Sequence, residues 1–354
     1  MKYLLKGLKN IAPLLATTKA HQLVPTLLNY SCAFLKLTSH VPQPTEVQIE
    51  PSSACNLKCK MCSIDNSVAK TFMSPSDLSQ ILRPLRHLRS INFTGIGESL
   101  LNTNLEQLID AASEQAVTTS FITNGLLLNE SRIHSLLNTR VCAISVSIES
   151  GIPEVYQRIR RGGLFDNLVL KLDLLNRRIA ERKAPLTIYF NVVLLKETMD
   201  QIENIYSIID LAAGLKNISG LTFQNPHDLS QQETLQYYSP GGGKNITAIF
   251  ESIKAYAQAR HVKVMLPSTT IKRGSCFYPW MYPFITVFGD VLPCCVIPQF
   301  GSYSNIIKEY SFGNLFQTPF DKLWNGERAR LFRAEMAHSP PPCCQRCSKY
   351  LNIL

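Results

Sequence analysis

An α/β fold built on a parallel sheet is what this sequence predicts, on three observations. Short β-branched runs alternate with helix-patterned stretches from residue 46 onward, the pattern of βαβ units. The chain has 354 residues, enough for one large unit and a small one, each with its own core. The residues with the most evident chemistry, Cys55, Gly95 to Glu98 and Thr123-Asn124-Gly125, each follow a strand candidate, which gathers them at one rim.

EVQIE is the first strand candidate. A helix then begins around Ser74-Pro75, an N-cap followed by proline at the first helical position. SINFTG (90–95) and TTSFIT (118–123) are strands, followed by helices through LEQLIDAAS and ESRIHSLLN. AISVSIE (143–149) precedes helical stretches to about residue 182, and LTIYFNVVLL (186–195) and SGLTFQN (219–225) complete six strands. Composition shifts after residue 228, where Gly-Gly-Gly (241–243) leads to the helix NITAIFESIKAYAQA and a last strand, VKVMLP. Right-handed crossovers leave a doubly wound sheet or a barrel-type arc. Six units would make an incomplete barrel, with the active site at the C-terminal strand ends.

Composition excludes some classes. No apolar run reaches the roughly 18 uncharged residues of a spanning helix, and LVPTLLNYSCAFL from Leu23 is short and carries Pro25. Lysines recur through the N-terminus and Pro13 interrupts it, unlike a secretory signal. A cytoplasmic protein is expected. Of the net charge of +10, half comes from residues 1 to 45, which hold five lysines and no acid. Leu4, Leu8, Ile11 and Leu15 share a helical face opposite Lys2, Lys6 and Lys9. That is an amphipathic helix docked on the protein, with peripheral membrane contact as the alternative. No basic stretch interleaves with aromatics, so nucleic acid is not expected.

Eleven cysteines are the sharpest signal: three lie in ACNLKCKMCS, six follow residue 275, and Cys32 and Cys142 stand alone as expected buried small hydrophobes. Clustered cysteines in a reducing compartment read as metal ligands. A structural zinc is normally closed by four ligands, yet Cys55, Cys59 and Cys62 have no fourth cysteine nearby. C-x3-C-x2-C on a loop after the first strand of a βα series resembles the radical S-adenosylmethionine (SAM) superfamily, and the motifs that follow agree in order over residues 46 to 230. The resemblance implies a partial (β/α)6 TIM-like barrel and a 4Fe–4S cluster on these three thiolates. Its open iron would bind SAM, whose reductive cleavage yields a 5′-deoxyadenosyl radical that abstracts hydrogen from substrate. An external electron donor such as flavodoxin or ferredoxin is implied as well.

Gly95-Ile96-Gly97-Glu98 resembles the family's Gly-Gly-Glu-Pro segment, which meets the methionyl ammonium, although Ile96 separates the glycines and Ser99 replaces proline. Glycines let main chain approach closely and a carboxylate suits a cation. Ser147 and Arg160 resemble a strand-four serine and a following arginine that bind the ribose and the SAM carboxylate. Met61 stands where relatives often place an aromatic near adenine.

The C-terminal cysteines are framed by FITVFGDVLPCC, a hairpin with Gly289-Asp290 at its turn, and by GNLFQTPFDKLWNGERARLFR, read as one amphipathic helix. This resembles the SPASM/twitch extension, which implies an auxiliary 4Fe–4S cluster on Cys276, Cys294, Cys344 and Cys347, with Cys295 and Cys343 as competitors. A full SPASM extension uses seven cysteines for two clusters. Six are present and seven residues follow Cys347, so one cluster is expected. The organisation is then a basic N-terminal extension (1–45), a radical SAM core (46–268) and a cysteine-rich C-terminal SPASM/twitch domain (269–354).

The functional expectation is a radical SAM enzyme that oxidises a small molecule, the auxiliary cluster accepting an electron. The N-terminal 45 residues look too short for the winged-helix domain of many peptide maturases. A maturase of a peptide or protein is the alternative, and a structural zinc-binding interaction protein is the non-enzymatic one. No catalytic acid or base can be named; Glu149, Asn191, Gln224 and His227 sit near strand ends as ordinary rim residues.

Overall fold

The computed structural model describes residues 20–65, 67–229, 233–238, 245–274 and 276–353. The amphipathic helix expected over residues 4–15 and the glycine stretch 241–243 lie outside them. All six expected strands form: β1 (Glu46–Ile49), β2 (Ser90–Phe93), β3 (Thr118–Thr123), β4 (Val141–Ser147), β5 (Thr187–Val193) and β6 (Ile218–Gln224). They lie side by side in chain order, all parallel, with the short β7 (Val264–Met265) continuing the series. The strand order has two free ends, so the sheet is an arc: a partial TIM-like barrel.

Local chemistry explains the elements. β5 is rich in β-branched and aromatic residues and its burial alternates, with Ile188, Phe190 and Val192 fully buried. The crossover helix Phe165–Arg182 turns Leu168, Leu172, Leu175 and Ile179 onto the sheet at helical spacing. Ser74 caps the helix Pro75–Leu82 in a reciprocal capping box with Asp77.

Beyond β1 the sheet does not stop. β8 (Phe284–Ile285) pairs with β1 in parallel, and β9 (Asp290–Leu292) and β10 (Gly313–Asn314) extend it antiparallel. The expected hairpin is therefore built into the core sheet, its turn made at Gly289 with φ +87°.

Two expectations change. GNLFQTPFDKLWNGERARLFR is β10, a short helix Phe320–Trp324 and a second helix Glu327–His338. Gly326 makes the break: it is extended at the second helix's N-cap, and a Cβ there would lie 2.4 Å from the Lys322 carbonyl. Cys32 is buried, but Cys142 is exposed. The β3–β4 register jumps from Thr119↔Val141 to Ser120↔Ala143, leaving Cys142 on a bulge without a partner.

The C-terminal region is tied to the segment before β1. Trp280 Nε1 donates to the Leu37 carbonyl (2.6 Å) and Trp324 Nε1 to that of Pro42 (2.9 Å). Arg333, fully buried, lies 4.3 Å over the Trp324 ring and donates to the carbonyls of Pro279 (2.9 Å) and Trp324 (2.7 Å). It thus satisfies carbonyls in two short helices that their own turns leave unpaired. Burial pushes its pKa down to about 9, partly offset by Cys32. Replacing Arg333 by Ala is expected to cost roughly 2–4 kcal/mol, from unpaired carbonyls and a cavity. A lower denaturant midpoint at unchanged slope is the measurement.

Candidate functional site

The cysteine loop follows β1 and is held by backbone contacts. Lys58 and Lys60 donate to the carbonyls of Arg161 (3.0 Å) and Ile159 (2.9 Å), Cys62 N to that of Cys59 (3.1 Å), and Glu98 N to that of Ala54 (2.7 Å). The last contact brings the β2 loop against the cysteine loop and accounts for the glycines. A Cβ on Gly97 would sit 2.1 Å from the Ser52 carbonyl oxygen, and one on Gly95 2.4 Å from the Glu50 side chain. Ile96 sits between two positions that tolerate nothing larger.

Cys55, Cys59, Cys62, Gly95, Gly97, Glu98, Ser147 and Arg160 all line one cavity of about 360 Å³ at the C-terminal ends of the parallel strands. Asn191, Gln224 and His227 line it too. Burial raises the pKa of all three thiols, Cys55 to about 11, and neighbouring thiols raise Cys55 and Cys62 further. Ser147 ends β4 and is buried at the cavity wall. Met61 lines the cavity and packs on the apolar cluster of Val155, Ile159 and Leu195.

Two carboxylates qualify the expected roles. Glu98 is buried, and its oxygens already accept from Thr123 Oγ1 (2.6 Å), Asn124 N (2.8 Å) and Leu100 N (3.0 Å). Burial raises its pKa against those bonds. It joins the ends of β2 and β3 as well as facing the cavity. Arg160 gives its planar edge to Glu149, with Nε–Oε2 2.5 Å and Nη2–Oε1 2.6 Å, and leaves Nη1 3.7 Å from Cys59 Sγ. Burial alone would lower the arginine's pKa, but the charge and bonds of Glu149 hold it above its ordinary value. Glu149 is therefore no rim residue: it is fully buried behind Arg160.

Glu50 was not singled out in the sequence. This buried acid directly follows β1, accepts from Ile96 N (3.0 Å) and Val287 N (3.3 Å), and has no cationic partner among the described residues. One carboxyl thus bonds the β2 loop and the C-terminal hairpin together. Its sequence signal is slight, an acid directly after a strand that already carries Glu46 and Gln48.

A second, enclosed cavity is lined by Cys276, Cys294, Cys344 and Cys347, with Phe300, Phe332 and Met336 among its apolar walls. Cys295 and Cys343 are outside this lining; Cys343 lies 3.9 Å from Cys344 and beside Tyr310. Burial pushes Cys347 up to about 12, with Cys276 adding to it, and raises Cys294 with its thiol neighbours adding to the effect. Phe300 lines both cavities. The segment after β6 binds the last cysteine loop, since Asp228 bridges Cys347 and Ser348 N donates to the His227 carbonyl (3.1 Å). Among the described residues the buried His227 Nδ1 has no partner, and burial, then the Lys349 charge, pushes the imidazole down to about 4, so the ring is neutral.

Comparison with known proteins agrees with this geometry. Residues 49–209 match the radical SAM superfamily, and residues 276–348 match the iron–sulfur cluster-binding SPASM domain. The chain is a radical SAM superfamily enzyme with a C-terminal SPASM domain. That class carries a SAM-binding 4Fe–4S cluster and uses SAM, and the SPASM domain holds auxiliary iron–sulfur chemistry. The chain is 21% identical over 305 residues to the antilisterial bacteriocin subtilosin biosynthesis protein AlbA of Bacillus subtilis, covering 83% of this chain and 64% of AlbA. It is 22% identical over 315 residues to the tungsten-containing aldehyde ferredoxin oxidoreductase cofactor-modifying protein of Pyrococcus furiosus, covering 85% of this chain and 86% of that protein. The fold matches Streptococcus suis SuiB bound to precursor peptide SuiA, with TM-score 0.65 and 18% identity, over 92% of this chain and 75% of SuiB. No helix among the described residues is long and apolar enough to cross a membrane.

Two outcomes test the buried carboxylates. Burial raises the folded-state pKa of Glu50 from 4.5 to about 7. The native state therefore holds this proton more tightly than the unfolded chain does. The resulting stabilisation is complete below the unfolded value and fades as pH rises through the folded one. Between about pH 6 and about pH 8 the protein should lose roughly 1 kcal/mol of stability that a Glu50→Gln variant does not lose. Glu149→Ala strands a buried guanidinium and should cost roughly 3–5 kcal/mol by denaturant unfolding. A Glu149→Ala/Arg160→Met double variant should recover part of that.

Proposed function

We propose that this chain is a radical SAM maturase acting on a peptide. Cys55, Cys59 and Cys62 would hold the SAM-cleaving cluster, and Cys276, Cys294, Cys344 and Cys347 an auxiliary 4Fe–4S cluster. The donor sets fit: each group of thiols lines one cavity and suffers mutual charge that iron would relieve. The absence of Cβ atoms at Gly95 and Gly97 keeps main chain close to the first set. When bound, the cluster and SAM supply a 5′-deoxyadenosyl radical able to abstract hydrogen from a substrate held beside them.

The likeness to AlbA carries the peptide reading, and the neutral wall of the cavity beside the cysteines is compatible with it. Its charged groups are engaged: Lys60 with Glu197, Arg160 with Glu149, Asp228 with Arg346, and Glu98 with its three donors. Asn191, Gln224 and neutral His227 offer amide and imidazole groups. Such a wall suits backbone amides better than a phosphate or a charged sugar. AlbA's role in subtilosin biosynthesis and the peptide seen on SuiB support the same direction. They favour a peptide over the small molecule expected from the sequence. In this reading Ser147 meets the ribose, Arg160 Nη1 the SAM carboxylate, and the Gly95–Glu98 backbone the ammonium. Phe300, which lines both cavities, would stand between a bound peptide and the auxiliary cluster, whose chemistry when bound would be electron acceptance, and a flavodoxin or ferredoxin would supply the first electron.

Anaerobic incubation of the holoenzyme with SAM, reductant and candidate precursor peptides tests this, reading substrate-dependent 5′-deoxyadenosine and the peptide's mass change. Alanine at Cys55, Cys59 or Cys62 should lower 5′-deoxyadenosine by about a thousandfold or more, to background. Alanine at Cys344 should spare reductive SAM cleavage and stop peptide modification. Turnover of a cyclitol or sugar alcohol with no response to peptides would restore the small-molecule reading.

A further inference from the structure

The helix Ala20–Phe34 is inside out. Its inward face is polar: Gln22, Thr26 and Asn29 are buried, with Gln22 Nε2 donating to the Leu88 carbonyl (3.0 Å) and Asn29 Nδ2 to that of Gln43 (2.9 Å). Cys32 and Ala33 complete the packed face. Its outward face is apolar. Val24, Leu27, Leu28 and Leu35 recur at helical spacing, and Phe34 and Leu37 lie beside them; all six are exposed, from 41% at Leu37 to 63% at Val24 and Leu35. Six of the described chain's thirteen exposed large hydrophobics fall within these fourteen residues. Exposed apolar groups concentrated in this way mark an interaction surface.

Charge selects the partner. Residues 1–45 contain five lysines and no acidic residue. An isologous contact with a second copy would bring two acid-free lysine-rich segments together. An anionic bilayer meets both requirements, taking apolar side chains into the interface while its negative charge complements a segment that carries lysines and no acid. The helix has 15 residues with Pro25 inside it, so it would lie on the membrane and not span it.

We propose that the outer face of this helix, formed by Val24, Leu27, Leu28, Phe34 and Leu35, docks the protein on anionic phospholipid. The surface is separate from the cysteine cavities, and its test is independent of the substrate. The probe is flotation of the full-length holoprotein with vesicles of phosphatidylcholine alone or containing about 30 mol% phosphatidylglycerol, at low salt and at roughly 0.5 M salt. Binding is expected with phosphatidylglycerol only, falling about tenfold at high salt. A Leu27→Glu/Leu28→Glu variant should bind about tenfold less, with its thermal unfolding and SAM cleavage unchanged.

Absence of binding, or equal binding to neutral and anionic vesicles, would overturn the proposal. So would undiminished binding by the double variant, which would assign the contact to the lysines alone. A dimer in light scattering that Leu27→Glu/Leu28→Glu dissolves would give the face to a second copy. Vesicle binding that appears only after deletion of residues 1–19 would give it to the chain's own N-terminus.

Discussion

The pairing of β1 with β8 is the contact on which both cysteine sites depend. β1 has four residues, yet it carries the first cysteine loop at its end, β2 on one side and the C-terminal hairpin on the other. Gln48 N donates to the Pro283 carbonyl and Glu50 N to that of Ile285, so the hairpin's register is set by the same strand that aims Cys55. The Glu50 carboxyl repeats the link with its side chain, taking a donor from each side. Burying a carboxyl without a cation is unfavourable, and here main-chain donors are what compensate it. Movement of either loop relative to the other would break a ladder bond and a buried side-chain bond together.

The electrostatics of the two cavities follow from that placement. Thiols crowded out of water oppose one another's ionisation, and the first set has one cation within reach, Arg160 Nη1 near Cys59. The Glu149 pair fixes the orientation of that guanidinium, so the arginine presents a single N–H instead of a free fork. The second set lies among mostly apolar side chains, Phe300 included, with Lys349 as the cation in its wall.

Much of this was legible in the sequence because it rests on local rules. The six strands are short β-branched runs set between helical patterns, Ser74-Pro75 is a cap followed by a first-turn proline, and the cysteine spacings speak for themselves. What escaped reading was long-range or a matter of one residue's register. Nothing near Phe284 announces that it will pair beside Gln48. Glu149 looked like a rim residue because the partner eleven positions on becomes its neighbour only when the helix Pro153–Ile159 folds back. Cys142 looked buried because a one-residue bulge reverses the face of a strand residue. Asn325-Gly326 looked like part of a helix because the steric demand at Gly326 comes from the turn's own carbonyl.

The shared sheet also constrains biosynthesis. β1 and its cysteine loop leave the ribosome early, whereas β8 emerges only after everything from Pro51 to Pro283 has been made. Until then β1 presents one unpaired backbone edge and Glu50 lacks its donor from Val287. The core therefore waits, edge exposed, for its last structural partner, and the loop of Cys55, Cys59 and Cys62 settles only once the C-terminal region has docked. Expression losses and inclusion bodies should then trace to the interval between these two events, and a chaperone shielding the β1 edge would act there.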